Sequence, residues 1–356
     1  MNHTVEVLGF ARNAAWLPWA VQYFFLIGIS TAAFFLSLPG LVWRLPDWQG
    51  ISRRALLAAL VCGLTAPVAL LADLHQPGRF LNFYLHPNLG SWMAWGAFFI
   101  PLYLIGLFLY AWLCLRPQLA SLAQRGDPLA GCYRAVAYGG HDNPAAIRGA
   151  AVVAALGAGL VLLYTGMEVM VVQARPLWHT PLLPLLFAVA ALSGGLGMTA
   201  LFEAVAGKSA AAPLLNLWLA RSQWATLALL AGWLIFALAG MSTAAADSLA
   251  AMQGAFGWWL SGAWLLASVG LTLWCALRRP ASLLLPALLA LHGAWLLRWV
   301  VFMGGQNLAK MGSTSHVYAL SLSPDSVLGI VGMAGLCLTV YIILTSIIPW
   351  DDRAEA

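Results

Sequence analysis

Residues 150–176 read AAVVAALGAGLVLLYTGMEVMVVQARP, an apolar run long enough to cross a bilayer that nonetheless carries Tyr164, Glu168 and, at its end, Arg175. A helix advances about 100° per residue, so positions four and eleven beyond Tyr164 fall roughly 40° and 20° from it. These three groups are therefore expected on one polar stripe. A carboxylate within a membrane helix costs about 2.5–3.5 kcal/mol even on a lenient insertion scale, so the stripe should face protein, water or a ligand.

The rest of the chain sets that stripe in a membrane. It is 62% hydrophobic and 8% charged, with a mean hydropathy of +0.85, whereas charged residues make up about a quarter of a soluble domain. The first apolar segment, Trp16 to Pro39, is too long for the core of a signal peptide. It follows His3, Glu6 and Arg12 rather than a basic cluster, so it is expected to remain as a helix. The 17 basic residues form no basic run, which excludes a nucleic-acid interface and leaves membrane orientation as their explanation. Cys62, Cys114, Cys132, Cys275 and Cys337 are isolated, so neither an iron-sulfur cluster nor a structural zinc is encoded.

Segments of spanning length lie near 16–39, 54–74, 91–115, 149–173, 179–203, 222–241, 256–277, 281–303 and 326–349. A hydrocarbon core about 30 Å thick needs roughly 20 helical residues. The expected fold is an all-α, polytopic helical bundle of about nine spans. Residues 1–350 form one transmembrane domain, with helices 1–4 at about 16–173 and helices 5–9 at about 179–349, and residues 351–356 form a short cytoplasmic tail. One set of loops holds Arg44, Arg53, Arg54, Arg116, Arg125, Arg134, Arg148, Lys208, Arg221, Arg278, Arg279 and Arg353. The other holds Arg12, Arg79, Arg175, Arg298 and Lys310. By the positive-inside rule the N-terminus faces the periplasm and the C-terminus the cytoplasm of a bacterial inner membrane. The longest inward loop, 116–148, reads as a solvated connection.

Five ionisable residues in the spans need partners: Asp73, Glu168, Glu203, His292 and Arg298. On this topology Asp73, Glu168 and Arg298 converge at one outer depth, near Arg175, while Glu203 lies at the inner end as a helix-pairing group. Mutual ion pairing between helices would explain the outer set, and so would a functional site. The Tyr164 hydroxyl favours the site, because it can bind a headgroup while Glu168 accepts a proton. Gln22 and Tyr23 in AWLPWAVQYFFLIGIS sit at comparable depth, although an interfacial aromatic belt also accounts for Tyr23. His75, Arg79 and His86 lie close to the same surface. Only His292 sits deep in a span, which disfavours a haem held by a histidine pair, and no P-loop, nucleophile motif or metal-ligand cluster is visible.

The segments WLPWAVQYFFLIGIS (16–30), LTAPVALLADLHQPGR (64–79), SWMAWGAFFIPLY (91–103) and YTGMEVMVVQARPLW (164–178) resemble the NrfD/PsrC family of membrane subunits, in the same order. WLLRWVVFMGGQ (295–306) fits less tightly. The nearest likeness is to the branch that serves tetrathionate reduction. The resemblance implies an anchor without haem, iron-sulfur cluster or metal of its own, which oxidises quinol (menaquinol or ubiquinol) near the periplasmic face. It implies Tyr164 as a headgroup contact, with Gln22, Tyr23, Arg175 and Arg298 as further candidates. Glu168, Asp73 and His75 are the candidates for taking protons. It also implies two partners: a periplasmic four-cluster ferredoxin-like iron-sulfur subunit and a molybdopterin catalytic subunit. The alternatives are an anchor for polysulfide reductase or hydrogenase, a proton-translocating channel or transporter with its polar groups at the midplane, and a purely structural anchor.

Overall fold

The computed structural model describes residue 14 and residues 16–74, 76–125, 128–253, 256–308 and 318–350. Among these residues the regular elements are all helical, as a bilayer demands, because hydrocarbon offers no partner to a backbone N–H or C=O left open. Among them, nine helices are long and apolar enough to cross a membrane. They are α1 (Pro18–Leu41), α2 (Gln49–Asp73), α3 (Trp92–Leu122) and α4 (Pro144–Met170), then α5 (Leu183–Val205), α6 (Ala212–Leu238), α7 (Phe256–Arg278), α8 (Leu284–Trp299, continued by a π-helical turn so that the span is Leu284–Asn307) and α9 (Val327–Ile347).

Each expected segment corresponds to one helix, but two ends differ by more than five residues. α3 runs to Leu122 rather than stopping near 115, and α6 begins at Ala212 rather than near 222. Both differences come from an arginine that closes an apolar window without closing a helix. The Arg116 guanidinium lies 5.2 Å from the centre of the Trp112 ring and donates to the His141 carbonyl at 2.7 Å. Arg221 lies 4.9 Å from the centre of the Trp218 ring. An apolar stem covered by an aromatic face lets each charge ride on its helix. The 116–148 connection is correspondingly shorter than expected and carries a docked helix, Ala130–Val136, whose Tyr133 hydroxyl donates to the Ile347 carbonyl at 2.7 Å.

α1 is the hub of the bundle and packs on α2, α4, α5, α8 and α9. It is apolar on every side, as a helix surrounded by others should be. Two hydroxyl pins hold it in register with α3. Ser30 donates to the Ala59 carbonyl and accepts from Tyr103 at 2.8 Å; seven residues on along both helices, Ser37 donates to Phe34 and accepts from Tyr110 at 3.1 Å. α3 and α4 approach so closely that a Cβ on Gly106 would lie 2.7 Å from the Ala154 nitrogen, and one on Gly157 2.6 Å from the Tyr103 nitrogen. Small residues permit that backbone contact, the usual source of helix association in lipid. α5, α6, α7 and α8 close a ring in which each packs on the next and α8 returns to α5. α9 lies at the periphery, chiefly against α2 and α1, with Leu328, Val331, Leu338 and Ile342 exposed.

Candidate functional site

A cavity of about 300 Å³ opens at the end of the bundle where α1 and α3 begin and α2 and α4 end. Pro18 starts α1, as proline can in a first turn where no intrahelical N–H partner is lost. Just before it, the Leu17 N–H donates to Asp73 Oδ1 at 3.1 Å, so the last residue of α2 caps α1 and sets a carboxylate against its positive end. Trp16 is clamped at its backbone by the Gln306 side chain, which accepts from its N–H at 3.0 Å and donates to its carbonyl at 2.8 Å. The Trp16 indole packs against Phe24, Phe302 and Trp178, with ring centres 5.7, 5.0 and 5.6 Å away.

The closed end of the cavity carries its polar chemistry. Tyr23 of α1 and Tyr164 of α4 bring their hydroxyls within 3.4 Å. One turn on from Tyr164, Glu168 lies close enough to interact with that tyrosine, and Asp73 lines the same cavity. All three of Tyr23, Tyr164 and Glu168 are buried. Gly96 on α3 makes room for the Tyr164 ring: a Cβ there would lie 2.5 Å from Cζ and 2.9 Å from the hydroxyl. The remaining walls are apolar, supplied by Pro67, Leu70 and Leu71 of α2 and Ala97, Ile100 and Leu104 of α3. α2 and α3 touch far less than α1 and α2 do, and the rim residues Leu71, Phe80, Tyr84 and Met93 are exposed. The cavity therefore opens sideways along an apolar cleft, toward where lipid tails would lie.

Four of the residues singled out in the sequence, Tyr23, Asp73, Tyr164 and Glu168, line this one space. His75 lies outside the described residues. Three others are elsewhere. α4 ends at Met170, so counting helical turns on to Arg175 fails; the chain turns away, and Arg175 Nη1 donates to the carbonyls of Gln306 at 2.8 Å and Leu308 at 3.3 Å. It thus caps the end of the α8 segment, as a cation at a helix C-terminus should. Burial lowers the pKa of its guanidinium from the ordinary arginine value. Arg298 is fully buried and donates to the carbonyls of Phe24 at 2.8 Å, Ala294 at 2.9 Å and Phe187 at 3.4 Å. It ties α1, α5 and α8 together, and Gly28 leaves space for it, since a Cβ there would lie 2.6 Å from Nη2. Gln22 is one residue from Tyr23, hence about 100° around α1, and lines a different cavity.

The expected pairing of carboxylates with these arginines does not describe the arrangement, because backbone carbonyls supply the hydrogen-bond acceptors of Arg175 and Arg298. Glu203 is buried beside Gly50 at the start of α2, at the opposite end of the bundle. Sequence reading missed Trp16 as a wall, Gly96 as the seat of Tyr164 and Gln306 as the clamp. Gly96 alone left a signal, as a glycine between bulky residues in SWMAWGAFF. Among the described residues no group of His, Cys, Asp and Glu is arranged to hold a metal ion.

The sequence model of the family described as "Polysulphide reductase, NrfD" matches residues 6–310, which include every residue named in the cavity. The chain is 34% identical over 362 residues to a tetrathionate reductase subunit of Salmonella typhimurium, covering 97% of this chain and 96% of that protein. It is 23% identical to a selenate reductase subunit of Mesobacillus selenatarsenatis, over 55% of this chain and 49% of that one. A putative dimethyl sulfoxide reductase membrane subunit of Halobacterium salinarum is 26% identical, over 56% and 45%.

Proposed function

The chain belongs to the NrfD family of reductase membrane subunits, and from that premise we propose that it oxidises quinol in the α1–α4 cavity and passes the electrons to a partner. The observation that carries this reading is the grouping of two tyrosines and Glu168 at the closed end of an apolar, sideways-open pocket, with the half-buried Asp73 on its wall. A volume of about 300 Å³ holds a substituted ring with the start of a tail, and the cleft between α2 and α3 admits the remaining tail from lipid.

Quinol, when bound, supplies two electrons and two protons. Tyr164, seated on Gly96, would fix a ring oxygen by hydrogen bonding, with Tyr23 beside it. Glu168, one turn from Tyr164 in the same cavity, would hold the first proton on its carboxylate. Asp73 is only half-buried and ends α2, so it offers the proton a way out to the surface, with His75 two residues further along the chain. Trp16, Phe24 and Phe302 keep water from the closed end. The excess of arginines on the opposite set of loops supports a periplasmic position for this end of the bundle in a bacterial inner membrane, with the C-terminus in the cytoplasm. The electrons would go to a periplasmic iron-sulfur subunit and then to a molybdopterin catalytic subunit. Likeness along nearly the whole chain to a tetrathionate reductase subunit favours tetrathionate as the terminal acceptor.

The test is quinol-dependent reduction by the purified complex. Tyr164→Phe keeps the ring and removes one hydrogen bond, so quinol affinity is expected to fall about tenfold. Gly96→Ala pushes a methyl into the Tyr164 ring and is expected to raise KM for quinol by a similar factor, while electron delivery to the catalytic subunit from an artificial dye stays unchanged. Wild-type KM values in both variants would remove quinol from this cavity. A tagged chain purified from its own membranes is expected to bring an iron-sulfur and a molybdopterin subunit with it.

A further inference from the structure

A second cavity, of about 600 Å³, runs along another side of α1, between α5 and α8 on one hand and α9 on the other. One face of α9, from Met333 through Cys337 to Tyr341, lines it over about 12 Å. α9 packs chiefly on α2 and α1, so the slot opens to lipid beside α8. Gln22 lines the slot while only 6% exposed, and its Nε2 has no hydrogen-bond partner among the described residues. A buried amide left unpaired costs about 1–3 kcal/mol, so its presence in a largely apolar slot, whose other polar side chains are His292, Cys337 and Tyr341, points to a ligand that satisfies it. No lysine or arginine lines the slot among the described residues, so an anionic phosphate would find no counter-charge there. The ligand that fits is neutral, long and apolar, with a carbonyl or hydroxyl at one end. A primary amide can meet either, since it both donates and accepts.

We propose that this slot binds a second quinone, its ring oxygen on the Gln22 amide and its isoprenoid tail along α9 past His292 toward Tyr341. The ligand class rests on the proposed function, but the residues are separate from the Tyr164 cavity.

The experiment is photolabelling of the full-length protein in lipid nanodiscs with an azido-quinone bearing a decyl tail, followed by peptide mapping. Two labelled regions are expected, one around Met93 and Tyr164 and one on α9. Gln22→Leu removes the amide and Ala334→Trp fills the slot; each is expected to weaken the α9 label about tenfold and to leave the first label in place. A wild-type protein labelled only at the first cavity overturns the proposal, and so does a phospholipid retained in the slot that the quinone probe cannot displace. Label on α9 with none near Tyr164 upholds the second site and counts against the proposed function instead.

Discussion

Glu168→Gln is expected to slow quinol oxidation by about 10²–10⁴-fold, the usual contribution of a placed general base. The substitution keeps the size of the side chain and its ability to bond the Tyr164 hydroxyl, so the pocket should retain its shape and its affinity. What it removes is the capacity to take a proton as electrons leave the ring. The loss should therefore fall on kcat with KM little changed, a split that separates a lost proton acceptor from a lost binding contact. The protein should be at least as stable as before, because a buried carboxylate in a membrane helix is costly and an amide is less so. The measurement is steady-state quinol oxidation by the intact complex, with dye-driven reduction at the catalytic subunit as the control. Unchanged kcat would move the proton acceptor to Asp73, where Asp73→Asn would then carry the loss.

Arg298→Met is expected to lower the stability of the bundle by several kcal/mol while sparing the chemistry of any molecules that still fold. The guanidinium donates to carbonyls on α1, α5 and α8, and hydrogen bonds from a charged group contribute about 1.5–3 kcal/mol each. Methionine matches its length without offering a donor, and Gly28 leaves a gap that the smaller head would not fill. The readout is thermal unfolding in detergent together with quinol KM on the surviving complex. A lowered melting temperature with a normal KM supports the role of a helix tie. A normal melting temperature with a raised KM would return Arg298 to the ligand site that its depth in the sequence first suggested.

The proton-channel alternative predicted polar groups at the midplane, and here the geometry is informative. The ionisable cavity residues gather at one end, where α1 begins and α4 ends. The hydroxyls deeper along α1, Ser30 and Ser37, are occupied as pins to α3. That arrangement suits a headgroup site near one surface better than a relay across the bilayer.

How much of this could be read from residues alone follows from what each inference depends on. The nine spanning helices among the described residues were legible because hydrocarbon leaves a chain few ways to satisfy its backbone, and length with apolarity then marks each span. The facing of Tyr164 and Glu168 was legible because four residues make about one turn, and both lie inside α4. Arg175 was misread because the same count was carried past Met170, where the helix stops and the chain turns back toward α8. Gln22 and Tyr23 were inseparable in sequence; only the identity of the helices on either side of α1 sends one to α9 and the other to Tyr164. Arg298 looked like a partner for carboxylates because charge is visible in sequence, whereas the backbone carbonyls that satisfy it are not. The sequence by itself determined the helices, their number and the polar face of α4, all of which depend on local periodicity and on the solvent. The tertiary structure decided which polar groups share a cavity, because that depends on helix neighbours, helix ends and backbone acceptors contributed by residues more than a hundred positions away.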